Sequence, residues 1–256
     1  GIWQAIRAEA GQASMDEPLL ASFYHAAILN HESFNAAISF HLANKLDGQA
    51  VPAMLIRQVF EEAMSADPAI SGAMAADIYA YRERDPACNK YTMPFLYYKG
   101  FHALQAQRIG HWLWLAGRRS LALYLQNQIS EIFGVDIHPG ARIGHGIMID
   151  HATGVVVGET AVIEDNVSML HSVTLGGSGC DVGDRHPKIR QGVLISAGAK
   201  ILGNIEVGEG AKVGAGSVVL EAVMPHTTVA GVPAKVVGRP RQSQPALDMD
   251  HQLGDA

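Results

Sequence analysis

The chain has 256 residues, of which 48% are hydrophobic and 17% charged, the balance of a folded protein with an apolar core rather than of a disordered one. Its formal net charge of −6 argues against a nucleic-acid partner, because such partners favour a basic surface. No apolar run is long enough to cross a membrane, and two cysteines cannot form a disulfide framework, so we expect a cytoplasmic protein.

The first half of the chain carries the signals of successive helices. Ser14 and Glu17 have the spacing of a capping box, which predicts a helix that starts there. Asp67 followed by Pro68 is a cap and first-turn pair that predicts another. The apolar spacing continues to about residue 132, so we predict an α-helical domain over residues 1–133, of the kind that caps a solenoid or joins subunits in oligomerisation.

From residue 134 an aliphatic residue returns at every sixth position. A period of six fits neither a helix nor a free-standing strand, but it fits a parallel β-solenoid in which six residues build one flat side of a coil. We therefore predict an α+β fold: the helical domain, a left-handed parallel β-helix of hexapeptide repeats over 134–239, and a polar, flexible tail over 240–256. The repeat positions are Ile137, Ile143, Ile149, Val155, Ile163, Met169, Ile189, Ile195, Ile201, Val207, Val213 and Val219.

The phase of this repeat slips twice. Ile149 and Ile163 are fourteen residues apart, two repeats plus two extra residues, so one corner is widened. Residues 176–188 have no aliphatic residue at the expected place, which predicts a loop that protrudes from the coil. Such loops often carry binding groups. After Val223 the prolines at 225 and 233 predict that the chain leaves the solenoid.

Histidines are frequent in the solenoid, and three of them share a position. His145, His151 and His171 each follow an inward aliphatic residue by two places, which predicts equivalent positions on their coils. Three interpretations stay open from the residues alone: tolerated polar positions on an exposed side, ligands of a metal, or a general base held by a carboxylate.

Several motifs together carry a family resemblance. The run VDIHPGARIGHGIMIDHATGVVVGETAVI, followed by SVTLGG, DRHPKIR, GAKILGNIEVG and AGVPAKVVG, resembles the bacterial serine O-acetyltransferases, which are hexapeptide-repeat acyltransferases. The resemblance covers about 135–240 and extends more loosely into the helical half through YRERDPAC. It implies transfer of acetyl from acetyl-CoA to the hydroxyl of L-serine, as a step toward cysteine.

The resemblance also implies roles for individual residues. His151 would be the general base and Asp136 its partner carboxylate. Two acids suit the α-ammonium of serine and an arginine suits its carboxylate. Backbone N–H groups at Gly176 and Gly177 would stabilise the oxyanion, and Cys180 would be incidental. The implied serine-binding residues are Asp85, Asp150, Arg185 and His186, and the implied acetyl-CoA contacts are Gly177, Ala197, Lys212, Ala215 and Lys235.

The partners implied by the resemblance are trimers that stack into a hexamer, and L-cysteine as a feedback inhibitor at the serine site. No metal is required. The family also docks a C-terminal tail that ends in isoleucine into cysteine synthase. This sequence ends Gly254-Asp255-Ala256, so either the tail is truncated or that partnership is in doubt.

Three alternatives remain. Homoserine or a sugar would replace serine as the acceptor, although Asp85, Asp150 and Arg185 favour a zwitterionic amino acid. A zinc lyase of the carbonic-anhydrase type would need three histidines that converge on one metal across a subunit edge. A scaffold that binds another protein would show no turnover and no response to mutation of His151 or Arg185.

Overall fold

The computed structural model describes residues 1–179 and 182–253, and it joins a helical region to a parallel β-helix. Within the described residues, no helix is both long and apolar enough to span a membrane. A short 3₁₀ turn lies at Pro18–Leu20 and a π turn at His25–Leu29. The α-helices are α1 (Ile2–Asp16), α2 (Ala21–Tyr24), α3 (Phe34–Lys45), α4 (Ala53–Ala66), α5 (Pro68–Arg84), α6 (Thr92–Tyr97), α7 (Lys99–Leu115), α8 (Arg119–Phe133) and α9 (Pro245–Asp248).

Two helix ends lie where local sequence signals indicate them, and one predicted helix start does not. Helix α5 begins as predicted, with the Asp67 side chain accepting a hydrogen bond from the backbone N–H of Ala69. Gly134 ends α8 in the left-handed conformation, at φ 66°. The helix predicted to start at Ser14 is wrong: α1 continues to Asp16, and Glu17 caps the 3₁₀ turn that follows.

The second half of the chain winds through three parallel sheets, which we call A, B and C. The strands are β1 (Val135–Ile137), β2 (Arg142–Ile143), β3 (Met148–Ile149), β4 (Val155–Val157), β5 (Val162–Ile163), β6 (Ser168–Met169), β7 (Thr174–Gly176), β8 (Lys188–Ile189), β9 (Leu194–Ile195), β10 (Lys200–Leu202), β11 (Glu206–Val207), β12 (Lys212–Val213), β13 (Val218–Val219), β14 (Thr228–Gly231) and β15 (Ala234–Gly238). Sheet A has the order β1-β4-β7-β10-β13, sheet B β2-β5-β8-β11, and sheet C β3-β6-β9-β12-β14-β15.

Each coil takes one strand from each sheet, and the repeating aliphatic residues point into the solenoid. Ile149, Met169, Ile195 and Val213, for example, stack in register in sheet C and are at most 1% exposed. The predicted architecture, a helical region followed by a parallel β-helix, is therefore confirmed. The protruding loop runs from the end of β7 to the start of β8, and Cys180 lies outside the described residues.

The end of the solenoid differs from the prediction. The chain does not leave the coil after Val223: that residue bridges to Val207, and β14 then pairs in parallel with β12 in sheet C. Only the next strand breaks the pattern, since β15 turns back through Pro233 and pairs antiparallel with β14.

The tail over 240–253 packs along sheet C, and its flexibility stays a prediction. Ala246 in α9 is fully buried; its carbonyl accepts a hydrogen bond from the Ser168 hydroxyl, at 2.8 Å. Further along, His251 pairs with the Ser196 hydroxyl at 2.9 Å, and Lys212 donates to the carbonyl of Gln252. The carbonyls of this polar tail therefore match hydrogen-bond donors on the sheet. The predicted C-terminal residues 254–256 lie outside the described residues.

One face of α5 caps the open edge of sheet C. Asp77, Tyr81 and Arg84 are spaced by four and three residues, which places them on one side of the helix. Their side chains contact the backbone of the first coil: Asp77 accepts from the N–H of Ile147, and Arg84 donates to the carbonyl of Gly146. These contacts satisfy backbone groups just before β3, on the side of the first coil that has no neighbouring coil.

Candidate active site

The widened corner lies between β3 and β4 and contains His151. Ile149 and Val157 are eight positions apart, whereas the residues in register with them in the next coil, Met169 and Leu175, are six apart. The following two coils also keep a separation of six. We call the turns from sheet C to sheet A, residues 150–154, 170–172, 196–198 and 214–216, the C–A corner.

The two extra residues are His151 and Ala152. Across the C–A corner the carbonyls of Thr153, His171 and Ala197 each accept a backbone hydrogen bond from the next coil, so these three residues follow the same path. The prediction that His145 and His171 occupy positions equivalent to His151 is therefore wrong. His171 is equivalent to Thr153, and His145 lies on the turn from sheet B to sheet C, because the pattern of two places after an aliphatic residue recurs at every corner.

The extra pair adopts an unusual backbone conformation. His151 has φ 57° and Ala152 has φ 59°, and two consecutive non-glycine residues in this region cost about 1–2 kcal/mol each. The result is that the His151 side chain is 74% exposed. Such strain persists only where the surroundings hold it.

Helices α5 and α7 contact the backbone of this corner on the side of the helical region. The Tyr81 hydroxyl donates to the carbonyl of Ile149 at 2.8 Å and accepts from the N–H of the same residue at 3.1 Å. Gly100 in α7 approaches so closely that a Cβ built on it would lie 2.1 Å from the Ile149 carbonyl oxygen. Lys99 donates to the Thr153 hydroxyl. The sequence predicted no role for these residues, although a glycine in the first turn of a helix, next to a pair of tyrosines, is a local signal of a close approach.

A cavity of about 420 Å³ opens in front of the corner. Asp85, Asp150 and His151 all line it, together with Tyr97 and Tyr98. The Asp85 carboxylate comes from the residue that ends α5 and accepts the N–H of Ala87 at 2.8 Å. Two carboxylates and an exposed imidazole around one cavity suit a small ligand that has both an ammonium group and a proton to lose.

The structure does not bring Asp136 into contact with His151. Asp136 is half-buried on β1, and its carboxylate accepts a hydrogen bond from Gln126 at 2.7 Å. The carboxylate nearest to the His151 ring is that of Asp150, with its Oδ2 3.6 Å from Nε2. Asp136 as the partner carboxylate of His151 stays a prediction.

Arg185 and His186 are held against a different corner, the turn between β4 and β5. The backbone N–H groups of both residues donate to the Thr160 hydroxyl oxygen, and Nδ1 of His186 accepts from the N–H of Thr160 at 3.2 Å. The His186 ring also packs on Gly158, where a Cβ would lie 2.0 Å from it. Nε2 of His186 therefore carries the proton, and burial, followed by the charges of Arg185 and Lys188, lowers its pKa.

The Arg185 guanidinium pairs with Glu159 at 2.8 Å, and this contact lowers the pKa of that carboxyl group. Within one chain the Arg185–His186 group and the His151 cavity lie at opposite ends of strand β4. Three residues of strand span about 10 Å, so a single chain presents two separate halves of the predicted serine site.

The predicted acetyl-CoA residues fall into three environments. Ala197 and Ala215 lie on the C–A corner, on the same edge of the solenoid as His151. Gly177 lies at the start of the protruding loop, where a Cβ built on it would be 3.6 Å from Nε2 of His186. Lys235 is exposed on β15. Lys212 is 2% exposed, donates to Gln252, and has its pKa lowered by burial. The tail covers it, so no phosphate reaches Lys212 in this arrangement.

No metal site is apparent within the described residues: they contain no group of three or more His, Cys, Asp or Glu side chains arranged to hold a metal ion. The rings of His151 and His171 stand edge to face with their centroids 5.9 Å apart. Two histidines do not make the three-ligand set that a catalytic zinc needs.

Comparisons with known proteins agree over both halves of the chain. The model of the N-terminal region of serine acetyltransferases matches residues 2–106, and that of the bacterial transferase hexapeptide, six repeats, matches 186–221. The serine acetyltransferase of Salmonella typhimurium is 65% identical over 98% of this chain and 92% of its own.

Two solved structures extend the agreement to the fold. A serine acetyltransferase in complex with cysteine has a TM-score of 0.97 and 57% identity, covering 98% of each chain. The serine acetyltransferase of Brucella abortus in complex with coenzyme A has a TM-score of 0.92 and 54% identity, covering 93% of this chain and 95% of its own. This chain belongs to the serine acetyltransferase family.

Proposed function

We propose that this chain transfers the acetyl group of acetyl-CoA to the hydroxyl of L-serine at the widened corner, with His151 as the general base. The chain is an acyltransferase of the serine acetyltransferase family, and acetyl-CoA is its co-substrate. The observation that carries the choice of base is the two-residue insertion, which lifts one imidazole out of the coil beside a cavity lined by two carboxylates.

The proposed chemistry needs few groups. The His151 imidazole takes the proton of the serine hydroxyl as that oxygen attacks the thioester carbon. The tetrahedral intermediate then expels the CoA thiolate, which recovers the proton from the imidazolium, so O-acetyl-L-serine and CoA leave with a neutral histidine. Asp85 and Asp150 suit the ammonium of serine, and Arg185 suits its carboxylate. Backbone N–H groups near Gly177 remain our proposal for the oxyanion.

The separation of the two halves within one chain supports a shared site. We infer that Arg185 and His186 of one copy complete the cavity formed by Asp85, Asp150 and His151 of the next. A cyclic trimer, or a hexamer of two trimers, would repeat this contact at every interface. Arg185 would then exchange part of its ion pair with Glu159 for the serine carboxylate.

Acetyl-CoA is proposed to lie along the C–A corner, with Ala197 and Ala215 leaving room for its pantetheine arm and Gly177 near the thioester. Lys235 is available to the CoA phosphates because it is exposed. Lys212 becomes available only if the segment over 250–252 moves away.

L-Cysteine differs from L-serine only by sulfur in place of oxygen, so the same ammonium and carboxylate partners would hold it. A solved relative, 57% identical, is a complex with cysteine. We therefore propose L-cysteine as a competitive inhibitor. A complex with cysteine synthase and a cytoplasmic location stay predictions.

The test is release of free CoA thiol from acetyl-CoA with L-serine, compared for wild type, His151→Ala and His145→Ala. We expect serine-dependent release that falls by about 10²–10⁴ in His151→Ala. His145→Ala is a matched control, because it removes an exposed histidine paired to Asp165 at another corner of the same coil. Equal losses in the two variants would remove the choice of base, and release with homoserine or a sugar but not with serine would change the acceptor.

A further inference from the structure

The strained corner that presents His151 is fixed from one side by a single buried hydroxyl. β3 is the edge strand of sheet C, so the N–H and carbonyl of Ile149 face away from β6 and have no strand to pair with. The hydroxyl of Tyr81 fills both positions at once, accepting from the N–H and donating to the carbonyl. Tyr81 is 1% exposed, so water does not compete for these two groups.

The position of this contact matters because Ile149 directly precedes the residues that the insertion displaces. Asp150 and His151 follow it, and the left-handed pair at 151 and 152 starts two residues after the hydroxyl contact. The other face of the corner is in contact with α7, since Gly100 lies against the same carbonyl of Ile149. Loss of the hydroxyl would free the residue from which the strained turn departs.

We propose that Tyr81 is a positioning residue, whose hydroxyl sets the direction of the His151 imidazole and the Asp150 carboxylate by fixing both backbone groups of Ile149. This inference rests on the proposed function, because it gives His151 the role of base. Tyr81 itself lines the cavity but holds the backbone of the corner, and it takes no proton from the substrate.

The variant Tyr81→Phe removes the hydroxyl and keeps the ring in its contacts with Tyr98 and Phe101. Because a misplacement of about 1 Å can cost about 10²-fold in rate, we expect kcat to fall by about 10- to 100-fold, with KM for acetyl-CoA unchanged within about twofold. The matched control is Gln107→Met. It removes another buried hydrogen-bond donor to the first coil, the Gln107 amide, which donates to the backbone carbonyl of Ala141 at 3.2 Å.

Gln107→Met should lower the melting temperature to a similar extent and leave kcat within about twofold, because its contact is at the turn between β1 and β2 rather than at the C–A corner. If kcat falls equally in both variants, or falls in neither, Tyr81 is only structural and the inference is overturned.

A second measurement is independent of turnover. The rate at which diethyl pyrocarbonate modifies each histidine, read by peptide mass spectrometry, reports the environment of the imidazole. We expect Tyr81→Phe to change the rate at His151 at least about threefold and to leave the rate at His145 unchanged, since His145 is held by Asp165 away from Tyr81. Equal rates at His151 in wild type and variant would overturn the inference, and a wild type without serine-dependent turnover would contradict the proposed function alone.

Discussion

His145 and His151 lie on neighbouring corners of one coil and both are exposed, but the two corners are built differently. At the first corner the coil keeps its regular length, and the His145 side chain pairs with Asp165 of the next coil at 2.8 Å. At the second corner two residues are inserted, and no side chain of the next coil holds His151 by a hydrogen bond among the described residues. The helices hold the backbone of that corner instead.

This comparison shows how a repeat protein makes one position different from many similar ones. The register of the sheets sets the length of the regular corners, and at the corner of His145 a carboxylate of the next coil holds the polar side chain. An insertion releases the corner from that register, and a second structural unit, here α5 and α7, must then define its conformation.

Deletion of His151 and Ala152 together would give the second corner the length of the others. The β-helix is expected to persist, because Thr153 already follows the path of His171 and Ala197. Serine-dependent CoA release is expected to fall by about 10²–10⁴, since the base is lost. Far-UV circular dichroism and size-exclusion elution check the fold; a variant that is folded and active would show that the insertion carries no catalytic group.

A mixture of two inactive variants tests whether the site is shared between chains. When His151→Ala and Arg185→Ala chains are co-expressed in equal amounts, a cyclic assembly with sites between copies regains roughly a quarter of its intact sites by random association. Each variant expressed alone stays inactive. The measurement is specific activity of the co-purified mixture against the two separate preparations, and activity no higher than theirs would place both residues of a site in one chain.

Gly100→Ala tests the contact of α7 with the strained corner. The added Cβ would lie 2.1 Å from the carbonyl oxygen of Ile149, so the variant is expected to lose about 1–3 kcal/mol of unfolding free energy and to lose activity as the corner shifts. The control is Gly72→Ala in α5, where a Cβ built on the glycine meets nothing within 4 Å. This substitution should stabilise the helix by about 1 kcal/mol, because alanine has a higher helix propensity than glycine. Urea denaturation measures both, and equal effects would remove the role of the close approach.

The sequence predicted the coils better than it predicted the site because the coils depend on a periodic signal. The inward residues from Ile137 to Val219 repeat with the sheet, and even the two extra residues after Ile149 are visible as a change of phase. The corner at which the two extra residues are inserted, however, depends on the register of three sheets, and the spacing alone does not determine that register. The same limit explains why His145 was grouped with His151.

Contacts between distant segments cannot be predicted from local sequence patterns. Tyr81 and Ile149 are 68 residues apart, and nothing local to either residue indicates the other. The tail is a second example: the Ser168 hydroxyl and Lys212, which donate to its carbonyls, belong to distant coils and are not indicated by the sequence of the tail. Asp136 is a third, since its hydrogen bond to Gln126 depends on how α8 enters the first coil.

The last prediction concerns the pH dependence of stability, which we expect from the buried histidines of the helical region rather than from the exposed histidines of the corners. Burial, followed by the charge of Lys45, lowers the pKa of His41 to about 4, from an ordinary value of 6.5. In the unfolded chain His41 therefore binds a proton below about pH 6.5, whereas in the folded chain it binds one only below about pH 4. Stability contributed by neutral His41 is complete above pH 6.5 and is lost as the pH falls through this window.

At pH 5 this loss should amount to about 2 kcal/mol of unfolding free energy for His41, and His102 acts in the same direction because burial lowers its pKa as well. His41→Gln keeps a donor for the Leu96 carbonyl but does not titrate, so it should flatten the pH dependence between 7 and 5. Ile38→Val, a buried change in the same helix with a cost of about 1 kcal/mol, should keep the wild-type slope. Urea denaturation at pH 5, 6 and 7 decides: an unchanged slope in His41→Gln would mean that the acid sensitivity of the helical region arises elsewhere.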